Sequence, residues 1–144
     1  MATDPDRDGL AARVVAAMYA RDAASQAFGM SIREVCAARV CVSMTVRADM
    51  TQAVGTCHGG VIFSLADSAF AFACNRFNEK TVAAGCGIEF LHPAGVGDVL
   101  TAEAVEQAAM GRSGIYDVRV TNQNGETIAL FRGKSRRISG STIE

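Results

Sequence analysis

The spacing of apolar residues changes character along the chain. Leu10, Val14, Val15 and Met18 recur at helical intervals among Asp, Arg and Ala, which predicts a helix from Asp4 and Pro5 to about Arg21. A second short helical piece opens at Asp22, a good N-cap type, and closes at Gly29. From 39 to 47 the period drops to two: Val40, Val42, Met44 and Val46 alternate with Arg39, Cys41, Ser43, Thr45 and Arg47, the pattern of a half-buried strand. Residues 59 to 76 read as a long apolar helix. Strand-like runs then follow at 82–91, 98–107, 113–123 and 126–138, bounded by Pro93, Gly95 and Gly97, by Gly111, and by Asn124-Gly125. Asn-Gly between two alternating runs is the strongest short hairpin signal in sequence. The predicted order is therefore helix, strand, long apolar helix, then four strands in a meander.

An antiparallel sheet of five to six strands has a face to cover, and only the helix at 59–76 is apolar enough all round to form a layer against it. The implied class is α+β, with a curved sheet wrapped around one long helix, the hotdog architecture. The 144 residues fit a single domain spanning 1–144, with residues 1–8 flexible.

Composition narrows the function classes. Hydrophobic residues make up 49% of the chain and charged ones 20%, ordinary globular values. A net charge of −1 gives no electrostatic reason to expect nucleic acid or a membrane surface as partner. The opening MATDPDRDGLAA lacks the basic and apolar regions of a secretory signal. No apolar run reaches the roughly 18 residues of a membrane span. The expected location is the cytoplasm. Five cysteines without C-x-x-C spacing indicate neither a disulfide framework nor a zinc ribbon, and no metal site is expected.

The chemistry concentrates in TCHGGVIFSLADSAFAFACN, residues 56 to 75, where Asp67 is the one charged side chain between His58 and Asn75. Gly59 and Gly60 stand at the helix start, where backbone N–H groups lack intrahelical acceptors and the dipole is positive. They make either an oxyanion hole or simply a tight turn. Asp67 is either held by Ser64, Ser68 or a distant Arg as a structural network, or it is a perturbed functional acid. Eight residues separate it from Gly59, roughly 12 Å at about 1.5 Å rise per residue, too far for both to serve one site from one helix. Two antiparallel copies of the helix about a two-fold axis would make two sites, each with Gly59 from one chain and Asp67 from the other. The lone carboxylate thus predicts a homodimer. Cys57 beside His58 is poor evidence for a nucleophilic dyad, because adjacent residues on an extended chain point oppositely.

The run CHGGVIFSLADSAFAFACN resembles the signature of hotdog-fold acyl-CoA thioesterases of the phenylacetic acid degradation type, often called PaaI. The likeness extends to IEFLHPAGVGDVLTAEA, GRSGIYDVRV and ALFRGKSRRISG, covering residues 22 to 140. It implies a thioesterase acting on phenylacetyl-CoA or a ring-hydroxylated relative, with no cofactor beyond the coenzyme A of the substrate, and a tetramer built as a dimer of dimers. Another aryl- or medium-chain acyl-CoA, or a non-catalytic acyl-CoA binder, is the alternative. By the same resemblance the Gly59 N–H holds the thioester carbonyl, Asp67 is nucleophile or general base, and His58 orients the loop. Gln52 stands where the family often has Asn and takes on water positioning, while Ala83 lacks the hydroxyl some relatives carry there. Gly60 and Ser68 are expected at the substrate. Arg112, Arg132 and Lys134 either meet the phosphates of coenzyme A or form a solvated strand face with Arg136.

Overall fold

The structure, a computed structural model, describes residues 4–144. The first helix, α1 (Pro5–Ala20), starts where the sequence chemistry places it: Asp4 Oδ1 accepts the Arg7 N–H at 3.2 Å, proline occupies the first turn, and Asp6 and Asp8 face the positive end of the dipole. The helix takes in Pro5 to Asp8, and residues 1–3, the rest of the segment expected to be flexible, lie outside the described part. Helix α2 (Ala23–Ala27) is capped by Asp22 and ended by Gly29 at φ 69°, in the left-handed region.

Six strands form one antiparallel sheet: β1 (Ser31–Val35), β2 (Val40–Thr45), β3 (Thr81–Phe90), β4 (Val99–Met110), β5 (Ser113–Thr121) and β6 (Thr127–Arg137), in the order β1-β2-β4-β5-β6-β3. Strand β1 has no counterpart in the sequence reading. It is a five-residue edge strand with an irregular register between Ile32 and Glu34 and no buried residue, so it carries no alternation to detect. Strand β2 is more buried than a half-buried strand: Cys41 and Ser43 on its second side are also covered, Ser43 Oγ accepting from Arg33 Nε at 2.6 Å.

The four-strand meander is corrected by the structure. Strands β4, β5 and β6 do run as successive hairpins, the second turning at Gly125 with φ 78° as Asn124-Gly125 predicts. Strand β3, however, pairs with β6 at the far edge, while β4 pairs with β2. Periodicity identifies a strand but is silent on which distant strand it joins.

The long helix α3 (Gly59–Asn75) packs against β2 through β6. Ile62, Leu65, Ala66, Ala69, Phe70 and Ala73 make its sheet-facing stripe, meeting Met44, Leu100, Ala102, Val118, Ile128 and Phe131 in the core. Phe70 seats directly on β6 at Gly133, where an added Cβ would stand 2.7 Å from its ring. The helix is not apolar all round, as its composition implied. Ser64, Asp67, Ser68 and Ala71, spaced by three and four, form a half-buried stripe turned away from the sheet. The lone carboxylate sits on that second face, which answers why an apolar helix carries it. At its other end, buried Arg76 caps the helix through Nη1 to the Ala73 carbonyl at 2.8 Å.

Candidate active site

The start of α3 is built by a short loop. A bridge between Thr51 and Cys57 closes residues 51–57, and His58 N donates to the Met50 carbonyl at 2.8 Å, so the chain enters the helix in a fixed direction. His58 is the N-cap: its Nδ1 accepts the Gly60 N–H at 2.9 Å, which requires that nitrogen to be unprotonated. The Val61 and Ile62 N–H groups both go to the His58 carbonyl, at 2.9 and 3.2 Å. Gly59 N–H alone among these has no acceptor among the described residues. Of the two glycines, Gly59 therefore offers a donor to a ligand oxygen, and Gly60 does not, its N–H being taken by His58.

The glycine at 59 is also a matter of space. A Cβ built there would lie 3.1 Å from Cζ of Phe90, at the end of β3, so the aromatic ring packs over the Gly59 Cα. Phe90 is 52% exposed and its neighbour Leu91 59%. No pattern in the sequence separates it from an ordinary strand residue.

Asp67 has none of the partners that a structural role requires. Ser64 Oγ donates to the Gly60 carbonyl at 2.8 Å, and Ser68 Oγ lies 2.8 Å from Ser25 Oγ. No Lys, Arg or His pairs with Asp67 among the described residues. Burial pushes its pKa above the usual aspartate value, and the like charge of Asp22 adds to the shift. The carboxylate opens on a cavity of about 230 Å³ whose far wall is Ala24, Phe28 and Met30, around α2. That volume suits one end of a ligand, since pockets for whole drug-sized molecules hold about 300–1,000 Å³. The sequence marks Asp22 only as a cap; its approach to Asp67 depends on how α2 packs on α3.

Burial raises the thiol pKa of Cys86 on β3, with the charge of Asp67 adding to it, and burial pushes the Cys74 thiol on α3 up to about 12. Cys57 is 4% exposed, its thiol pushed up by burial and directed at the His58 carbonyl, which disposes of it as a nucleophile.

The remaining predicted residues scatter. Gln52 is exposed and holds its own loop, Nε2 donating to Thr56 Oγ1 at 2.9 Å. Arg132 lies on the outer face of β6 and forks onto Asp117 at 2.6 and 2.8 Å, so its guanidinium is already matched. Lys134 shares that exposed face, Arg112 sits in the β4–β5 turn, and neither makes an ion pair among the described residues. His92 pairs with Glu126 at 3.0 Å on exposed ground, away from the α3 cavity.

Comparison with known proteins agrees with this fold. A family model described as the thioesterase superfamily matches residues 54–129. The acyl-coenzyme A thioesterase PaaI of Escherichia coli is 46% identical over 125 residues, covering 87% of this chain and 89% of that protein. The solved structure of E. coli PaaI, from the phenylacetic acid degradation operon, superposes with a TM-score of 0.91 at 44% identity over 93% of this chain and 97% of that one. The structure of a point mutant of the phenylacetic acid degradation protein PaaI from Thermus thermophilus gives 0.76 at 36% identity, covering 79% of this chain and 97% of that one. With the six-stranded hotdog sheet on one long helix, these similarities in sequence and fold place the chain in the thioesterase superfamily as an acyl-CoA thioesterase of the PaaI type.

Proposed function

We propose that the protein hydrolyses phenylacetyl-CoA or a ring-hydroxylated phenylacetyl-CoA to the free acid and coenzyme A, at sites shared between two chains. The observation that carries the reading is the separation of the two reactive features. Gly59 offers the free N–H, and Asp67, unpartnered and half buried, lies eight residues further along the same helix, roughly 12 Å away. Neither completes a site alone. An antiparallel second copy of α3 would bring Asp67 of the partner subunit to this Gly59, and the reverse.

The edge strand supports the same arrangement. Strand β3 is ten residues long, exposed from Val82 to Gly87, and carries no charge from Thr81 to Ile88. Free edges of that length are normally blunted by charge, proline or cover, and this one is not. Pairing along β3 buries the edge beside Asp67. The further association of dimers into a tetramer is proposed by likeness to the family, and location in the cytoplasm from the sequence reading; no helix among the described residues is long and apolar enough to cross a membrane.

In the reaction, the thioester oxygen accepts from Gly59 N–H, which is aimed by the His58 cap and strengthened by the helix dipole as charge develops. Asp67 then either attacks the carbonyl carbon or takes a proton from attacking water. The reading needs no cofactor beyond coenzyme A itself. Lys134 and Arg112, which make no ion pair among the described residues, leave their charge open to its phosphates, whereas Asp117 already holds Arg132. Similarity to proteins of phenylacetic acid degradation points to the arylacetyl group. The test is hydrolysis of phenylacetyl-CoA, hydroxyphenylacetyl-CoA, benzoyl-CoA and a short straight-chain acyl-CoA: selective turnover of the arylacetyl thioesters is expected, and preference for the straight chain sinks the substrate assignment.

A further inference from the structure

Asp22, Ser25 and Ser68 form a hydrogen-bonded chain with a defined direction. Asp22 Oδ1 accepts the Ser25 N–H at 2.9 Å, and Asp22 Oδ2 accepts the Ser25 hydroxyl at 2.6 Å. Ser25 is 1% exposed and has one hydroxyl proton, which the carboxylate takes. Its oxygen can then only accept from Ser68 Oγ, 2.8 Å away. That commits the Ser68 proton in turn, so Ser68 shows the cavity nothing but lone pairs.

The other polar groups on this wall have the same polarity. Ser64 spends its proton on the Gly60 carbonyl at 2.8 Å, and Asp67 accepts no hydrogen bond among the described residues. A cavity whose polar lining only accepts is matched by a guest that donates. Water has two protons to give and keeps its lone pairs outward when both are given.

We infer that Asp22, Ser25 and Ser68 are positioning residues for the hydrolytic water, Ser68 and Asp67 each accepting one of its protons so that its oxygen faces the thioester. The inference rests on the reading that Asp67 meets the thioester, and it assigns Asp67 the base's role. In the step, the water O–H bond to Asp67 breaks as its proton passes to the carboxylate, and the oxygen bonds to the carbonyl carbon. The C–S bond then breaks, coenzyme A leaves as thiolate, and that thiolate takes up the proton from Asp67. The α2 segment thereby joins the active site, although no motif marks it.

The experiment measures kcat and KM for phenylacetyl-CoA and hydroxyphenylacetyl-CoA in wild type, Ser68→Ala, Ser68→Thr, Ser25→Ala and Asp22→Asn. Misplacement of a reacting group costs about 10- to 100-fold, so kcat of Ser68→Ala should fall by that factor on both substrates at unchanged KM, with Ser68→Thr recovering most of it. The pH profile separates positioning from charge. The titratable groups that act on Asp67 are Asp22 from α2 and the Cys86 and Cys74 thiols, neutral near pH 7. Asp22→Asn should move the acid limb of kcat to lower pH, since the like charge raising Asp67 is gone, whereas Ser68→Ala should leave that limb in place. A rise in KM at constant kcat, or a loss confined to the hydroxylated substrate, would make Ser68 a substrate contact and overturn the inference. Losses that merely track a lowered Tm, with Ser68→Thr no better than Ser68→Ala, would overturn it as well. Wild type that hydrolyses other acyl-CoA thioesters but neither arylacetyl substrate refutes the substrate reading alone, and the same variants are then compared on the thioester it does take.

Discussion

Replacing Gly133 with alanine tests whether the seat of α3 on the sheet controls the site. The added Cβ would stand 2.7 Å from Cε2 and Cζ of Phe70 and 2.8 Å from Cδ2. Carbon contacts relax only at about 3.5–4.0 Å, so roughly 0.8 Å or more of displacement is needed. The ring has little freedom to supply it. Phe70 is 1% exposed and is held between Tyr116 and Phe131, each at 5.7 Å between centroids. Overpacking of this kind costs about 1–3 kcal/mol, and about 3–4 °C of Tm per kcal/mol for a chain of this size puts the fall at roughly 3–12 °C. Since Phe70 lies one helical turn beyond Asp67, part of the strain moves the carboxylate, and kcat should drop by about 10-fold or more. The assays are thermal unfolding at one protein concentration and thioester turnover. Phe70→Leu in the Gly133→Ala background should recover most of both, because it removes the ring atoms in collision. A Tm within about 1 °C of wild type, or a double variant whose losses simply add, refutes the reasoning.

Other consequences are as direct. Asp67→Asn should remove at least about 10²-fold of turnover while raising stability, because it relieves a half-buried charge that nothing pairs. The stability gain has a sign in pH. A carboxyl whose folded pKa is raised loses stability for the fold as pH rises from the unfolded value near 3.9 through the folded one, so the Tm gap between Asp67→Asn and wild type should widen from about pH 4 to pH 7; a constant gap counts against burial as the cause. Mixed dimers of Asp67→Asn chains with chains carrying a bulky residue at Gly59 should regain activity, one of the two shared sites being intact, and inactive verified heterodimers would argue against sharing. Gly85→Pro on the open edge of β3 should yield inactive monomers by size-exclusion chromatography and turnover, whereas a fully active monomer contradicts a site built from two chains. Lys134→Ala should raise KM for acyl-CoA substrates in a salt-dependent way and Arg132→Ala should not, because Asp117 already neutralises Arg132.

The local features of this protein were legible in its residues. The capped start of α1, the hairpin at Asn124-Gly125, the long helix after His58 and the free N–H at Gly59 all follow from chemistry within a few residues, where side-chain oxygens, glycine and periodicity act on the nearby backbone. The isolation of Asp67 and its distance from Gly59 were equally visible, because helix rise converts sequence separation into length. The tertiary structure decided what depends on distant partners. It sent β3 to the edge beside β6, turned the Ser64 to Ala71 stripe away from the sheet, and gave the Gly60 N–H to His58. It also matched Arg132 to Asp117 across neighbouring strands and carried Asp22 and Ser25, more than 40 positions earlier in the chain, against Ser68. Such pairings are set by which surfaces pack together, and packing joins residues whose separation along the chain carries no periodic signal.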